Sequence, residues 1–207
     1  MLHIVLIYLG INEKKIILFY NSIRLKTKMG MYERKKRLKF GKKNELIFFK
    51  EIKECAKSNG YNLIFKTHRN SNANIDFYVA KDNFNKRINL ELKTRRLKNN
   101  DIVLFVNYSK LRYVKEFNIR YAYLIWKVKD TGEFYYVFLT PQLLDYLINK
   151  KTYNVFGQQT TIVDKHLATK TKNLVDIIDQ VHNIFYNDDE DVYEEKYEEI
   201  ISQLIVC

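Results

Sequence analysis

The chain has 207 residues, enough for one domain with a proper core plus extensions. Its formal net charge of +12 favours a polyanionic partner, of which nucleic acid is the usual one. Two cysteines and four dispersed histidines do not have the spacing of a disulfide framework or a zinc site, and no glycine-rich phosphate loop or nucleophile elbow is present.

The N-terminal segment, residues 1–31, contains short apolar runs at Leu2–Leu9 and Ile16–Tyr20. The first is too short to span a bilayer and lacks the charged start and cleavage site of a signal peptide. We therefore predict an extension outside the core, with accessory strands as the alternative. We also predict no membrane partner and an intracellular location, cytoplasmic or nucleoid-associated, or nuclear or viral if the host is eukaryotic.

A dense basic run precedes the first predicted helix. It consists of Arg34, Lys35, Lys36, Arg37, Lys42 and Lys43. Such a run can hold backbone phosphates through counterion release, although a lysine-rich chain can also reflect a biased genome. Residues 187–199 have the opposite bias, with eight acids against one lysine, so the rest of the chain carries a surplus of 19 positive charges. We predict that the basic run binds nucleic acid.

The first helix is predicted over Asn44–Ser58, where apolar residues recur at helical spacing. These residues are Leu46 or Phe49, Ile52 and Ala56. Glu45 lies four residues before Phe49 and therefore belongs on the same inward-facing stripe. An acid at the edge of an apolar face is either a first-turn charge near the helix dipole or a site residue.

Three strands are predicted next, at Tyr61–Lys66, Ile75–Ala80 and Ile88–Thr94. The second and third alternate apolar and polar residues, which is the period of half-buried β-strands. The polar turn between them suits an antiparallel hairpin. In the second strand we expect Ile75, Phe77 and Val79 to share the apolar face.

Asp76, Glu91 and Lys93 are the informative residues of this hairpin. Asp76 leaves the apolar face of its strand, and Glu91 and Lys93 share the polar face of theirs, so the hairpin can bring both carboxylates together. Metal-assisted phosphodiester hydrolysis needs two carboxylates to hold a hard cation and an ammonium to hold or activate the attacking water. A solvated strand face with an ordinary ion pair is the alternative.

The remaining sequence predicts further strands and helices. Strands are predicted at Ile102–Val106, Tyr121–Val128 and Glu133–Leu139, the last two as a hairpin, with an edge strand at Thr160–Val163. Helices are predicted after Ser109, with Leu111, Val114 and Phe117 on one side, after Pro141, over Asn173–Phe185 and over Val192–Val206.

The order helix, strand, strand, strand, carrying Glu45, Asp76, Glu91 and Lys93, resembles that of the PD-(D/E)XK nuclease superfamily over about residues 41–126. By this resemblance Asp76 matches the first aspartate of the motif, Glu91 its second acid and Lys93 its lysine. Glu45 matches the acid that many members carry on their first helix, while Ile75 replaces the proline of the motif.

The resemblance implies a restriction-endonuclease-like core, an α/β (α+β) fold with a central mixed β-sheet flanked by helices. We place this nuclease-like domain at residues 32–150. Residues 151–207 are expected to form a mostly helical C-terminal extension with an acidic linker.

The activity implied is a metal-dependent DNA endonuclease. Mg²⁺, with Mn²⁺ as a substitute, is expected at Asp76, Glu91 and the backbone carbonyl of Leu92, with Glu45 contributing through water. Lys93 is expected to orient or deprotonate the nucleophilic water.

DNA phosphates are expected to be held by Arg95, Arg96 and the basic run. Two alternatives remain open. One is a structure-selective nuclease resembling Holliday-junction resolvases, which work as homodimers. The other is a non-catalytic nucleic-acid-binding protein on a degenerate nuclease fold.

Overall fold

The computed structural model describes residues 40–67, 75, 77–82, 84–99, 101–155 and 158–186. The chain divides into two compact units, Met1–Lys42 and Lys43–Cys207, and the fold below is that of the second, except that its first helix begins at residue 40. Several predictions lie outside the described residues: the N-terminal extension, Arg34, Lys35, Lys36, Arg37, Asp76, the acidic segment 187–199 and the helix Val192–Val206.

Four α-helices occur in the described part of the chain. They are α1 at residues 40–58, α2 at Tyr108–Glu116, α3 at Pro141–Asn149 and α4 at Leu174–Asn183. α3 begins where predicted, because Thr140 Oγ1 accepts a hydrogen bond from the backbone N–H of Leu143 at 3.2 Å. α4 begins in the same way, with Asn173 Oδ1 accepting from the backbone N–H of Val175 at 3.1 Å.

The described residues also contain nine β-strands in two sheets. Strands β1 to β9 are Ile64–Thr67, Phe77–Ala80, Arg87–Arg95, Leu104–Asn107, Ala122–Val128, Phe134–Phe138, Thr152–Val155, Gln158–Val163 and Thr169–Thr171. The central sheet has the order β1-β2-β3-β5-β6-β9, and a smaller sheet has the order β4-β8-β7. All neighbours are antiparallel except β3 and β5, which are parallel. The predicted mixed central sheet flanked by helices is therefore confirmed.

Each face of the central sheet covers a separate apolar core. The first core joins β3 to α1 and α4 through Ile88, Leu90, Leu92, Phe48, Phe49, Ile52, Ile177 and Ile178. The second joins β5 to α2, α3 and the smaller sheet through Leu124, Trp126, Leu111, Val114, Leu143, Leu147, Leu104 and Val163. Consecutive residues of β5 alternate between the two cores, as the period of a strand buried on both faces requires.

The described part of the predicted C-terminal extension contains strands as well as a helix. β7 and β8 form the smaller sheet with β4, β9 borders the central sheet, and α4 packs in the first core. The prediction of a mostly helical segment is therefore wrong for the described residues 151–155 and 158–186, and β8 is a middle strand rather than an edge. The sequence does not indicate that β8 is a buried middle strand, because two of its buried positions are occupied by threonines, Thr160 and Thr161, rather than by apolar residues.

Three local predictions also need correction. Ile75 lies in the second core whereas Phe77 and Val79 lie in the first, because β2 begins only at Phe77 and its alternation does not extend back to Ile75. α2 begins at Tyr108, whereas the prediction placed its cap at Ser109. Phe117 follows the last residue of α2, and its side chain is 65% exposed instead of facing the core. α1 already includes residues 40–43, before the predicted start.

No helix in the described ranges is long and apolar enough to cross a membrane.

We predict that α4 is an integral part of the first core. Ile178→Ala should lower the free energy of unfolding by about 2–5 kcal/mol, because the side chain is 2% exposed and its removal leaves a cavity. The matched control is Ile47→Ala on α1, where the side chain is 46% exposed and the change should stay within about 0.5 kcal/mol. Urea denaturation measures both. A loss for Ile178→Ala as small as that expected for Ile47→Ala would contradict the prediction.

Candidate active site

Strand β3 places Glu91 and Lys93 near the middle of the central sheet. β5 pairs with β3 in parallel from Asn89 to Arg95, whereas the described pairing with β2 ends at Phe77 and Leu90. Glu91 and Lys93 are 2% and 8% exposed. The alternative of a solvated strand face therefore does not hold, because the polar face of β3 is covered.

The ammonium group of Lys93 joins two carboxylates from different elements. Its Nζ lies 2.7 Å from Glu45 Oε1 on α1 and 2.6 Å from Glu91 Oε1 on β3. The side chain of Glu45 is 16% exposed. Three of the four predicted catalytic residues are thus in contact, and the fourth, Asp76, is outside the described residues.

These contacts fix the charge state of Lys93. Burial alone would lower the pKa of its ammonium group, but the charges of Glu91 and Glu45 outweigh burial, and a hydrogen bond to Glu45 adds to them. The pKa of Lys93 is consequently raised above its ordinary value. Lys93 is a cation at neutral pH in this arrangement.

Lys110 is a fourth charged residue at this site, which the sequence interpretation missed. It lies in the first turn of α2, its Nζ is 3.2 Å from Glu91 Oε2, and its side chain is 13% exposed. Its one sequence signal is its place beside Leu111 at the edge of the apolar stripe of α2. That position does not indicate which strand the helix covers.

The predicted phosphate-binding residues fall into two groups. Lys42, Lys43 and Arg96 are exposed. Arg95 is instead engaged within the protein: Nη1 donates to the carbonyl of Thr94, Nη2 donates to that of Phe105, and the guanidinium lies 3.9 Å from the centroid of the Phe105 ring. Burial lowers the pKa of Arg95 to about 10, against the opposing effect of Glu45 and Glu91, so it remains charged at neutral pH.

Trp126 connects the site to the smaller sheet. It pairs with Lys93 across β3 and β5 and is 1% exposed. Its Nε1 donates to the carbonyl of Phe105 at 3.2 Å, the same oxygen that accepts from Arg95. Two residues beside the site therefore fasten β4 against the central sheet.

Carboxylate oxygens are the ligands that a hard divalent cation prefers, and Glu45 and Glu91 place two carboxylates beside Lys93. Both buried oxygens of Glu91 contact ammonium groups, Oε1 that of Lys93 and Oε2 that of Lys110. Glu45 contacts the ammonium of Lys93 from α1. Mg²⁺ is commonly held by one or two carboxylates with water completing its shell. Within the ranges that the structure describes, no group of three or more His, Cys, Asp or Glu residues could hold a metal ion.

The backbone carbonyl of Leu92 faces the same side of β3 as β2. The N–H of Asn89 and the carbonyl of Arg95 both bond toward β5, to Tyr121 and Lys129. Because backbone groups alternate along a strand, the carbonyl of Leu92 points the other way. It lies beyond the Phe77–Leu90 pair, where the described residues provide no partner strand. This position is compatible with the predicted metal ligand.

We predict that removal of the Lys93 charge destabilises the fold. Lys93→Met should lower the free energy of unfolding by about 3–5 kcal/mol, because it leaves buried carboxylates uncompensated. The matched control is Lys127→Met, which breaks another ion pair between the sheet and α1, with Glu51. That pair is 25% and 37% exposed, so about 1 kcal/mol or less is expected. Losses of the same size in urea denaturation would contradict the assigned burial.

Comparison with known proteins adds no relative to this picture: no protein-family model matches the chain, and no curated protein matches it.

Proposed function

We propose that this protein is a divalent-metal-dependent deoxyribonuclease with a restriction-endonuclease-like core. The observation that carries the proposal is the contact of one buried ammonium, that of Lys93, with the carboxylates of Glu45 and Glu91. These carboxylates come from α1 and β3, far apart in the sequence. Acids and a lysine brought together in this way are the groups that metal-assisted phosphodiester hydrolysis uses.

The burial of these charged residues favours a role in function over a role in stabilising the fold. Taking charges out of water costs free energy, and well-packed apolar residues of similar volume often stabilise a protein as well or better. The chain links α1 to the sheet a second time through Lys127 and Glu51, at a more exposed position. A link between helix and sheet therefore does not require a buried cluster, and perturbed buried charges are frequent at catalytic sites.

The order of elements supports the proposed core. α1 is followed by the antiparallel strands β1, β2 and β3, and β5 then joins β3 in parallel after the crossover through β4 and α2. The helix, strand, strand, strand order on which the superfamily resemblance depends is thus present. Glu45 lies on its helix and Glu91 with Lys93 on its third strand.

In this proposal, Asp76, Glu91 and the carbonyl of Leu92 hold Mg²⁺ or Mn²⁺, and Glu45 assists. When bound, the metal stabilises the charge that develops on the phosphate and on the leaving oxygen. Water adds to phosphorus and releases a proton to the solvent, while the bond from phosphorus to the leaving oxygen breaks and that oxygen takes up a proton from the solvent. Lys93 orients or deprotonates the attacking water, and its contacts with Glu45 and Glu91 hold its ammonium group beside the two carboxylates.

DNA would be held by exposed cations. In the second unit these are Lys43 and Arg96, and in the first unit they include Lys42, which follows the basic run Arg34–Arg37 in the sequence. Arg95 is better suited to fastening β3 to β4, because its Nη groups donate to backbone carbonyls. A DNA substrate also implies a compartment that contains DNA.

We predict metal-dependent cleavage that requires the acid–lysine cluster. Linear, supercoiled and four-way-junction DNA are incubated with Mg²⁺ or Mn²⁺, using wild type, Glu91→Gln and Lys93→Met, each verified as folded by circular dichroism. Both variants should lose at least about 100-fold in rate, because each removes a charge needed in the transition state. Lys127→Met is the matched control and should cleave as wild type does.

Each outcome identifies a different role. Preference for the four-way junction favours the structure-selective nuclease, and a dimer in solution would accompany it. Tight binding in EDTA with no cleavage under any metal favours the non-catalytic binding protein. Cleavage that Glu91→Gln leaves unchanged would place the active site elsewhere and overturn the proposal.

A further inference from the structure

Glu91 lies between two ammonium groups rather than beside one. Its Oε1 is 2.6 Å from Lys93 Nζ, and its Oε2 is 3.2 Å from Lys110 Nζ. Its side chain is 2% exposed, so both contacts are made away from solvent. The orientation of this carboxylate therefore depends on charges contributed by two elements, β3 and α2.

Lys110 approaches the carboxylate from a different direction than Lys93 does. It lies in the first turn of α2, which packs in the second core, and it reaches Glu91 of β3 from there. Lys93 also contacts Glu45, but the contact with Lys110 is to the second oxygen of Glu91. A cation that approaches Glu91 must compete with Lys110 for this oxygen and is repelled by its charge.

We propose that Lys110 is a positioning residue that holds the Glu91 carboxylate and restrains the binding of a divalent cation there until a phosphate arrives. This inference depends on the proposed function, because it takes Glu91 as a metal ligand. A phosphodiester brings the negative charge that offsets Lys110. Lys110 thereby makes occupancy of the metal site depend on the presence of nucleic acid.

Removal of the Lys110 charge should raise the affinity for a divalent cation and lower the rate of cleavage. These opposite changes distinguish a positioning role from a structural one. Without the Lys110 charge, a divalent cation should bind the free protein more tightly, because one repelling charge close to Glu91 is gone. Cleavage should nevertheless slow, because Glu91 loses the group that orients it. Damage to the fold would weaken both binding and cleavage.

The test is a Mn²⁺ titration of the free protein, in which the electron paramagnetic resonance signal of unbound Mn²⁺ reports binding without any reference to activity. Lys110→Gln and Lys110→Met should each bind Mn²⁺ at least about 10-fold more tightly than wild type. Lys110→Arg keeps the charge and should keep wild-type affinity. The matched control, Lys115→Gln on the same helix, breaks an exposed pair with Asp145 and should change nothing.

Cleavage assays complete the test, with a loss of about 10-fold or more in kcat expected for the two neutral variants. Unchanged or weaker Mn²⁺ affinity in both would overturn the inference, and so would tighter binding in Lys115→Gln. Tighter Mn²⁺ binding in the neutral variants, with no cleavage of any DNA by wild type, would support the inference and reject the proposed nuclease.

Discussion

The arrangement of this protein depends on one buried cation, the ammonium group of Lys93. An uncompensated charge at that depth would be strongly destabilising, so α1 and β3 must each supply a carboxylate. Apolar contacts of α1 through Phe48 and Phe49 are non-directional and tolerate small displacements of the helix. The hydrogen-bonded contact of Glu45 with Lys93 tolerates smaller displacements of α1 than the apolar contacts do. The position of α1 on the sheet is therefore linked to the geometry of the site.

The same cluster has an unusual balance of charge for a cation site. Its described members are two acids, Glu45 and Glu91, and two bases, Lys93 and Lys110, and the charge of Arg95 acts on the same two acids from outside the cluster. The sum of these charges is positive, which suits an anionic phosphate more readily than a bare divalent cation. In the proposed reaction, substrate and metal would therefore compensate each other, with the sequence supplying Asp76 as a further acid.

Local patterns predicted much of this arrangement and could not predict the rest. Glu91 and Lys93 were recognisable because they alternate with apolar residues in a long strand, and Glu45 because it extends a helical stripe. The depth at which Glu91 and Lys93 are buried was not predictable, because alternation indicates a half-buried strand. Alternation cannot reveal that α2 and β4 cover the polar face of that strand. The role of Lys110 was not predicted for the same reason. Its contact with Glu91 depends on how the chain crosses over between the parallel strands β3 and β5. The resemblance to a nuclease superfamily remains a hypothesis about function.

The position of Trp126 has a spectroscopic consequence. The chain contains a single tryptophan, and this residue is paired with Lys93 and bonded through its indole to the same carbonyl as Arg95. Ultraviolet emission from the indole therefore originates at one place, beside the strand that carries Glu91 and Lys93. The protein thus carries an intrinsic optical probe whose wavelength and quenching respond to polarity beside the site, without any attached dye.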